Sequence, residues 1–200
     1  MTRNHWDERF SEEEYVYGTE PNEFIRTMSR LIPPHSKVAA LAEGEGRNAV
    51  YLAEAGHSVT AFDQSTVGLQ KAVGLAEKRG VQIETKEADL IKDRIPADSF
   101  DAAILVFGHV PKESQESFFF NLIGSVKNGG IILFEVYSEE QLRYGTGGPG
   151  NLESLYDPAD ILRWIRPHDV VHFYYGEADR SEGSRHTGTG HVIQGAIRKK

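Results

Sequence analysis

A glycine pair and two aspartates stand in the first half of this chain, each directly behind a run that reads as a strand. Gly44-Glu45-Gly46-Arg47-Asn48-Ala49 follows KVAALA, Asp63 follows SVTAF, and Asp89 follows VQIETKEA. Glycine after a strand lets the backbone approach a ligand closely, and the N–H groups that open the next helix can satisfy a carboxylate or phosphate. A plain strand-to-helix turn is the alternative for the loop taken alone. Asp63 lies 17 residues after Gly46, where a carboxylate can accept both hydroxyls of a ribose; alone, it could equally cap the following helix. Asp89 would then lie near the base of such a nucleoside and accept from an exocyclic amine, or else belong to a solvated acidic turn.

The second half offers groups for proton transfer. His109 follows FDAAILVF and titrates near neutrality when unperturbed, so it is the first candidate general base, followed by Tyr137 and Tyr144. Each also has an ordinary structural reading. His172, His186 and His191 lie across a predicted hairpin without the spacing or carboxylate companions of a metal site, so no metal is expected. Tyr144 to Gly150 is too rich in glycine for a stable element.

These residues must be positioned by strands and helices, and the apolar pattern supplies them in alternation. Strands are expected at KVAALA (37–42), SVTAF (58–62), VQIETKEA (81–88), FDAAILVF (100–107) and IILFEVY (131–137). Helices are expected at EFIRTMSRLI, RNAVYLAEAG, 65–80, 112–127 and DPADILRWI, with glycine or proline at most of the stops. The chain closes with DVVHFYY, a polar stretch rich in Gly, Ser and Arg, and HVIQGAI, read as an antiparallel hairpin at the sheet edge. Strand alternating with helix predicts an α/β, Rossmann-like three-layer sandwich around a mostly parallel sheet, with ligands at the carboxyl ends of the strands. The 200 residues fit one domain, with residues 1–30 as a helical cover over the site.

Composition narrows the function classes. Apolar residues make up 39% and charged residues 26%, as in globular proteins. The formal charge of −8, with scattered Lys and Arg, argues against a nucleic-acid partner. No apolar run reaches a membrane span and MTRNHWDERF does not read as a signal peptide, so a cytoplasmic protein with no membrane partner is expected. The absence of cysteine excludes disulfides, thiolate metal sites and a cysteine nucleophile.

Together, Trp6-Asp7, Tyr17-Gly18, Pro21-Asn22, Gly44-Glu45-Gly46-Arg47-Asn48, Asp63-Gln64-Ser65, Ala88-Asp89-Leu90, Phe100-Asp101 and Tyr144-Gly145-Thr146-Gly147-Gly148-Pro149 resemble class I S-adenosylmethionine-dependent methyltransferases, closest to the tellurite-resistance-like branch. The resemblance runs nearly end to end. It implies a seven-stranded sheet with an antiparallel final strand, S-adenosylmethionine as cofactor and a small-molecule methyl acceptor. It further implies that Glu43, Gly44 and Gly46 hold the methionine part, Asp63 the ribose and Asp89 the adenine amine. Gln64, Ala88, Leu90 and Phe107 line the same site, while Arg47, Trp6 and Tyr17 help enclose it and the Tyr144 loop borders the acceptor. The family's first strand usually ends in an acid; here that position is Ala40, and Glu43 offers a carboxylate from a different place. Two rivals share the pattern. A nicotinamide-dependent oxidoreductase also matches Gly44, Gly46, Ala49 and Asp63, against which stand the terminal hairpin and the lack of a Tyr-x-x-x-Lys pair. A domain that binds the cofactor without transferring a methyl group is the other.

Overall fold

In a computed structural model the chain is described over residues 3–183 and 185–200. Seven strands form one sheet: β1 (Lys37–Leu41), β2 (Ser58–Asp63), β3 (Glu84–Glu87), β4 (Phe100–Val106), β5 (Val126–Tyr137), β6 (Asp169–Glu182) and β7 (His186–Arg198). Their order is β3-β2-β1-β4-β5-β7-β6, with β1 to β5 parallel and β7 antiparallel to both of its neighbours. The helices are α1 (Arg3–Phe10), α2 (Glu23–Met28), α3 (Arg47–Glu54), α4 (Thr66–Lys78), α5 (Lys112–Ser125) and α6 (Pro158–Ile165). This is the expected Rossmann-like sandwich with its antiparallel final strand.

The central strands are apolar on both faces because each face carries a layer. Ala39, Leu41, Ala103 and Leu105 pack with Phe118, Phe119, Leu122 and Trp164 on one side. Val38, Ala40, Ala102 and Ile104 pack with Ile25, Ala49, Leu52 and Leu69 on the other. The sheet changes direction between β1 and β4, which is the switch point where ligands bind in such folds. Two non-glycine residues adopt left-handed backbone at this point: Ala42 (φ 52°), just past β1, and Phe107 (φ 53°), just past β4. Such conformations cost about 1–3 kcal/mol each and persist where the surroundings enforce them, characteristically at ligand sites.

Three elements depart from expectation: β5 begins at Val126, within the stretch 112–127 expected as helix, because Val126 already pairs with Phe100 of β4. β3 spans only Glu84–Glu87, because the run from Val81 has no partner until its pairing with β2 begins at Thr60↔Glu84. The polar stretch expected between the last two strands is itself strand: pairing continues without a loop from Asp169↔Arg198 to Glu182↔His186. Its inward positions are filled by charged side chains, Arg180 and Glu182, so the period-two alternation carries no apolar signal.

Candidate active site

A cavity of about 1410 Å³ opens at the carboxyl ends of β1, β2, β3 and β4. Pockets for one small ligand occupy roughly 300–1,000 Å³, so this one has room for two molecules side by side. Of the residues singled out from the sequence, Trp6, Tyr17, Glu43, Gly44, Arg47, Asp63, Gln64, Ala88, Asp89, Leu90, Phe107 and His109 all line it.

Gly46, Tyr144 and Tyr137, which is fully buried behind the lining, do not. Gly46 (φ 89°) precedes α3, and a β-carbon there would fall 2.5 Å from the Ala72 β-carbon on α4. It serves the close approach of two helices rather than a ligand. Tyr144 turns outward, its hydroxyl donating to Glu177 Oε1 on β6 at 2.8 Å. The loop that follows it does reach the cavity through Gly145 to Asn151.

At the β1–β2 end, carboxylates organise the glycine loop. Asp63 Oδ2 accepts the Gly44 N–H at 2.9 Å and Oδ1 accepts the Ser65 N–H at 2.8 Å. Each oxygen keeps a lone pair, enough to receive a diol. Burial, partly offset by these backbone donors, raises the Asp63 carboxyl to about 6. Glu43 Oε1 accepts the N–H groups of both Asn48 (2.9 Å) and Ala49 (2.7 Å). The first turn of α3, where a ligand anion was expected, is thus satisfied by the protein's own carboxylate. Burial raises Glu43 to about 7 against the pull of the Ala49 N–H, Arg47 and the Asn48 N–H. Glu45 is buried in an ion pair with Lys71. Asp89 stands at the rim, paired with Lys92 at 2.6 Å, and that hydrogen bond lowers its carboxyl.

The β4–β5 end is aromatic. The Phe107 ring stacks on Tyr137 (centroids 4.3 Å apart) and meets the edge of His186 at 4.8 Å. His109 lies parallel to Tyr137 at 5.9 Å, and Tyr17 covers His186 at 4.6 Å. Both His109 nitrogens and the Tyr137 hydroxyl are shielded from solvent without closing a hydrogen bond to the described residues. Burial, with a smaller contribution from His186, drives His109 down to about 3. It is neutral at physiological pH. Burial likewise raises Tyr137, which stays protonated. Gly147 and Gly148 close over this cluster: a β-carbon on Gly147 would meet Arg185 O and His186 Cδ2 at 2.8 Å, and one on Gly148 would meet the Tyr137 ring at the same distance.

Beneath the aromatics lies a buried polar network. Arg47 pairs with Glu182 at 2.7 Å, and Arg180 pairs with Glu135 at 2.7 Å. Asn22 joins the two, donating from Nδ2 to Glu135 Oε1 (2.8 Å) and Glu182 Oε1 (3.0 Å). Asn22 also caps α2 through Ile25 N–H and binds Asn48 Oδ1 through its own N–H. Burial works to raise Glu182, but the nearby His186 ring, its Nδ1 3.9 Å away, and the two arginines outweigh it and hold the carboxyl at about 2. The network ties the N-terminal segment, α3, β5 and the hairpin together.

Sequence reading named Asn22 only within the motif Pro21-Asn22, passed over Glu135, Arg180 and Glu182, and considered His186 only as a metal ligand. One signal was available. Glu135 interrupts the apolar strand IILFEVY, and a charge in a fully buried strand requires a buried partner. Phe10, which packs over Gly44 and Gly68, fell within the helical cover read over residues 1–30 without being singled out.

Comparison with known proteins places these features. Residues 38–130 match the sequence model of a family described as a methyltransferase domain. No curated protein matches the chain. The fold is shared with TehB from Haemophilus influenzae, at 19% identity over 98% of this chain and 67% of that one, with a TM-score of 0.75. It is also shared with an S-adenosylmethionine-dependent methyltransferase from Anabaena variabilis, at 14% identity over 99% of this chain and 93% of that one (TM-score 0.72). The [4+2]-cyclase SpnF has it too, at 14% identity over 93% and 88% of the two chains (TM-score 0.66). Identities this low establish the fold alone, and the cyclase shows that the fold by itself does not specify methylation.

Proposed function

We propose that this chain is an S-adenosylmethionine-dependent methyltransferase of the class I fold, a reading supported by the methyltransferase-domain match over residues 38–130 and the shared fold, and that it transfers the methyl group to a small-molecule nucleophile bound against the Phe107–His109–His186 cluster. One observation carries the reading: the cavity has a carboxylate-rich end and a neutral aromatic end that meet at Phe107, with volume for two ligands.

Bound S-adenosylmethionine supplies an electrophilic methyl on a cationic sulfonium. The residues fit this ligand, because Asp63 has acceptor capacity for the ribose and the helix turn that would attract a phosphate is filled by Glu43. That same filling opposes the dinucleotide rival, whose pyrophosphate would meet a carboxylate in place of free N–H groups. Asp89, Gln64, Ala88 and Leu90 line the adenine side. Trp6, Phe10 and Tyr17 cover the site and exclude water. Arg47, held by Glu182, fixes the floor between the two ends.

Methyl transfer is an in-line displacement that depends mainly on alignment and dryness. His109, neutral and a very weak base here, orients the acceptor through a hydrogen bond rather than abstracting a proton. The acceptor therefore arrives with its lone pair already available, as a thiolate, an amine or a comparable soft nucleophile does. The test is titration calorimetry with S-adenosylmethionine and, in parallel, NADH, followed by an acceptor screen that detects S-adenosylhomocysteine. Micromolar binding with product formation is expected. Binding of NADH alone would overturn the proposal, and S-adenosylmethionine binding with no turnover on any acceptor would favour a non-methylating role.

A further inference from the structure

Charge divides the cavity. Its lining carboxylates, Glu43, Glu45, Asp63, Glu87, Asp89 and Asp93, all stand at or directly behind β1, β2 and β3. The aromatic end is lined instead by His5, Arg9, His109, Arg185 and His186, and among the described residues it contributes no carboxylate. An acidic wall facing a basic one suits two ligands of opposite charge. The cationic cofactor of the reading above complements the first wall and leaves the second without a complement.

Arg9 is the centre of the second wall. It lies on α1 next to Phe10, but the two side chains part: Phe10 covers Gly44 and Gly68, while Arg9 Nη1 donates to the Tyr17 hydroxyl at 3.0 Å. Tyr17 in turn packs on His186, and His186 meets the edge of Phe107. The guanidinium therefore stands over the aromatic end, resting on the Trp6 ring at 5.3 Å, and its charge helps keep His109 neutral. Among the described residues no carboxylate pairs with Arg9, whereas Arg47 is held by Glu182 and Lys92 by Asp89. Arg185, toward the mouth, makes a 3.4 Å contact with Glu12 in which both side chains are about half exposed. His5 Nε2 and both His109 nitrogens, shielded from solvent without a described partner, complete the wall.

We propose that the methyl acceptor is a small organic acid, whose carboxylate is received by Arg9 with Arg185 assisting at the cavity mouth, and whose nucleophilic atom is thereby presented beside His109. The proposal rests on the methyl-transfer reading above and names its substrate class. A guanidinium carries several N–H donors in a fixed fork that matches a carboxylate. With Nη1 engaged by Tyr17, Arg9 keeps its other donors for that contact. Gripping one end of a small molecule fixes the direction of the other, which in-line displacement requires. In the transfer the acceptor's lone pair forms the bond to the methyl carbon, and the bond from that carbon to the sulfonium breaks with its electrons returning to sulfur. A thiolate acceptor becomes a thioether, an amine releases its proton to solvent, and the carboxylate is unchanged. The same wall repels a cationic acceptor.

The experiment measures acceptor binding to the full chain saturated with S-adenosylhomocysteine, so that no turnover occurs. Calorimetry with two matched pairs, 3-mercaptopropionate with 3-mercaptopropionamide and 4-mercaptobenzoate with 4-mercaptobenzamide, reads the preference for the acid. The proteins are the wild type, Arg9→Gln, Arg9→Lys and Arg185→Gln, with a thermal melt to confirm that each variant folds. The wild type should bind the acid of each pair roughly tenfold or more tightly than its amide. Arg9→Gln should reduce that preference to about twofold, Arg9→Lys should keep part of it and Arg185→Gln most of it. The affinity of Arg9→Gln for S-adenosylmethionine should change little. A loss there as large as the loss of acid binding would give Arg9 to the cofactor's own carboxylate and overturn the proposal. Equal binding of acid and amide to the wild type, absence of binding by either, or an undiminished preference in Arg9→Gln would overturn it too, and each leaves the cofactor reading intact. If S-adenosylhomocysteine and S-adenosylmethionine both fail to bind the wild type, the cofactor reading falls and this proposal falls with it.

Discussion

The two ends of the cavity are built on opposite principles. At the β1–β2 end, backbone N–H groups and carboxylates satisfy one another, so Gly44, Ser65, Asn48 and Ala49 are fixed before any ligand arrives. At the β4–β5 end, aromatic rings surround polar atoms left without partners, on His109 and Tyr137, under a loop of glycines. The first is a preorganised mould for one constant ligand. On the proposed reading the second leaves the His109 nitrogens to the acceptor, and its shape depends on a polar network one layer below. If the proposed function holds, holding the cofactor and choosing an acceptor fall to structurally different materials.

That division can be broken most severely from below. Glu182→Ala leaves Arg47 buried without its counter-charge and removes a partner of Asn22, a change expected to cost about 3–5 kcal/mol of stability in denaturant unfolding; Glu182→Gln should cost less. Because its folded carboxyl lies near 2, below the unfolded value, Glu182 contributes stability that is present above about pH 4.5 and lost as pH falls toward 2. A wild-type acid unfolding curve no steeper than that of Glu182→Gln would show that the network is not what holds the acceptor end.

Asp63→Ala removes the side-chain acceptors of two backbone N–H groups, those of Gly44 and Ser65, together with the proposed ribose contact. Cofactor binding should weaken about 10- to 100-fold by calorimetry, with acceptor affinity in saturating cofactor much less changed. Gly46→Ala sharpens the comparison from a third side. It forces a β-carbon onto Ala72 in left-handed backbone, and is expected to lower stability by about 1–3 kcal/mol while the cavity lining stays the same. A large loss of cofactor affinity without loss of stability would return Gly46 to the ligand site.

Glu43 provides a pH test of the preorganised end. Its folded carboxyl is raised to about 7, so the unfolded chain gives up this proton first. The stability of the free wild type relative to Glu43→Gln should therefore fall as pH rises from about 4.5 to about 7 and then level off, as read from melting temperatures. The smallest effect is expected at His109. With its ring held neutral down to about 3, His109→Asn should lower kcat by less than about tenfold and leave the pH–rate profile between 5 and 8 unchanged in form. A loss of a hundredfold or more together with a lost acid limb would make His109 a general base after all.

The order of strands and helices, the switch point and most of the residues that line the β1–β3 end of the cavity were legible in the sequence because they follow from local pattern. KVAALA before Gly44, SVTAF before Asp63 and FDAAILV before Phe107 each combine an apolar run with its own stop signal, and parallel topology brings such stops to one edge. Gly46 and Tyr144 were misplaced for a shared reason. A glycine in a fingerprint and a tyrosine in a glycine loop reveal their types, but whether they face a ligand, a helix or solvent depends on neighbours 26 and 33 residues away, Ala72 and Glu177. The long arms of the β6–β7 hairpin were missed because their inward side chains are Arg180 and Glu182.

What the sequence alone determined, then, is the alternation of elements and the edge on which the glycine loop, Asp63, Asp89 and His109 gather, since hydrophobic period and turn chemistry act over a few residues. Only the tertiary structure decided which charges are paired. Asn22, Arg47, Glu135, Arg180 and Glu182 come from the length of the chain, and no local rule relates them. Their burial is tolerable only because the fold brings each charge to its partner, and the same enclosure sets the proton affinities of Glu43, Asp63 and His109 on which the proposed chemistry depends.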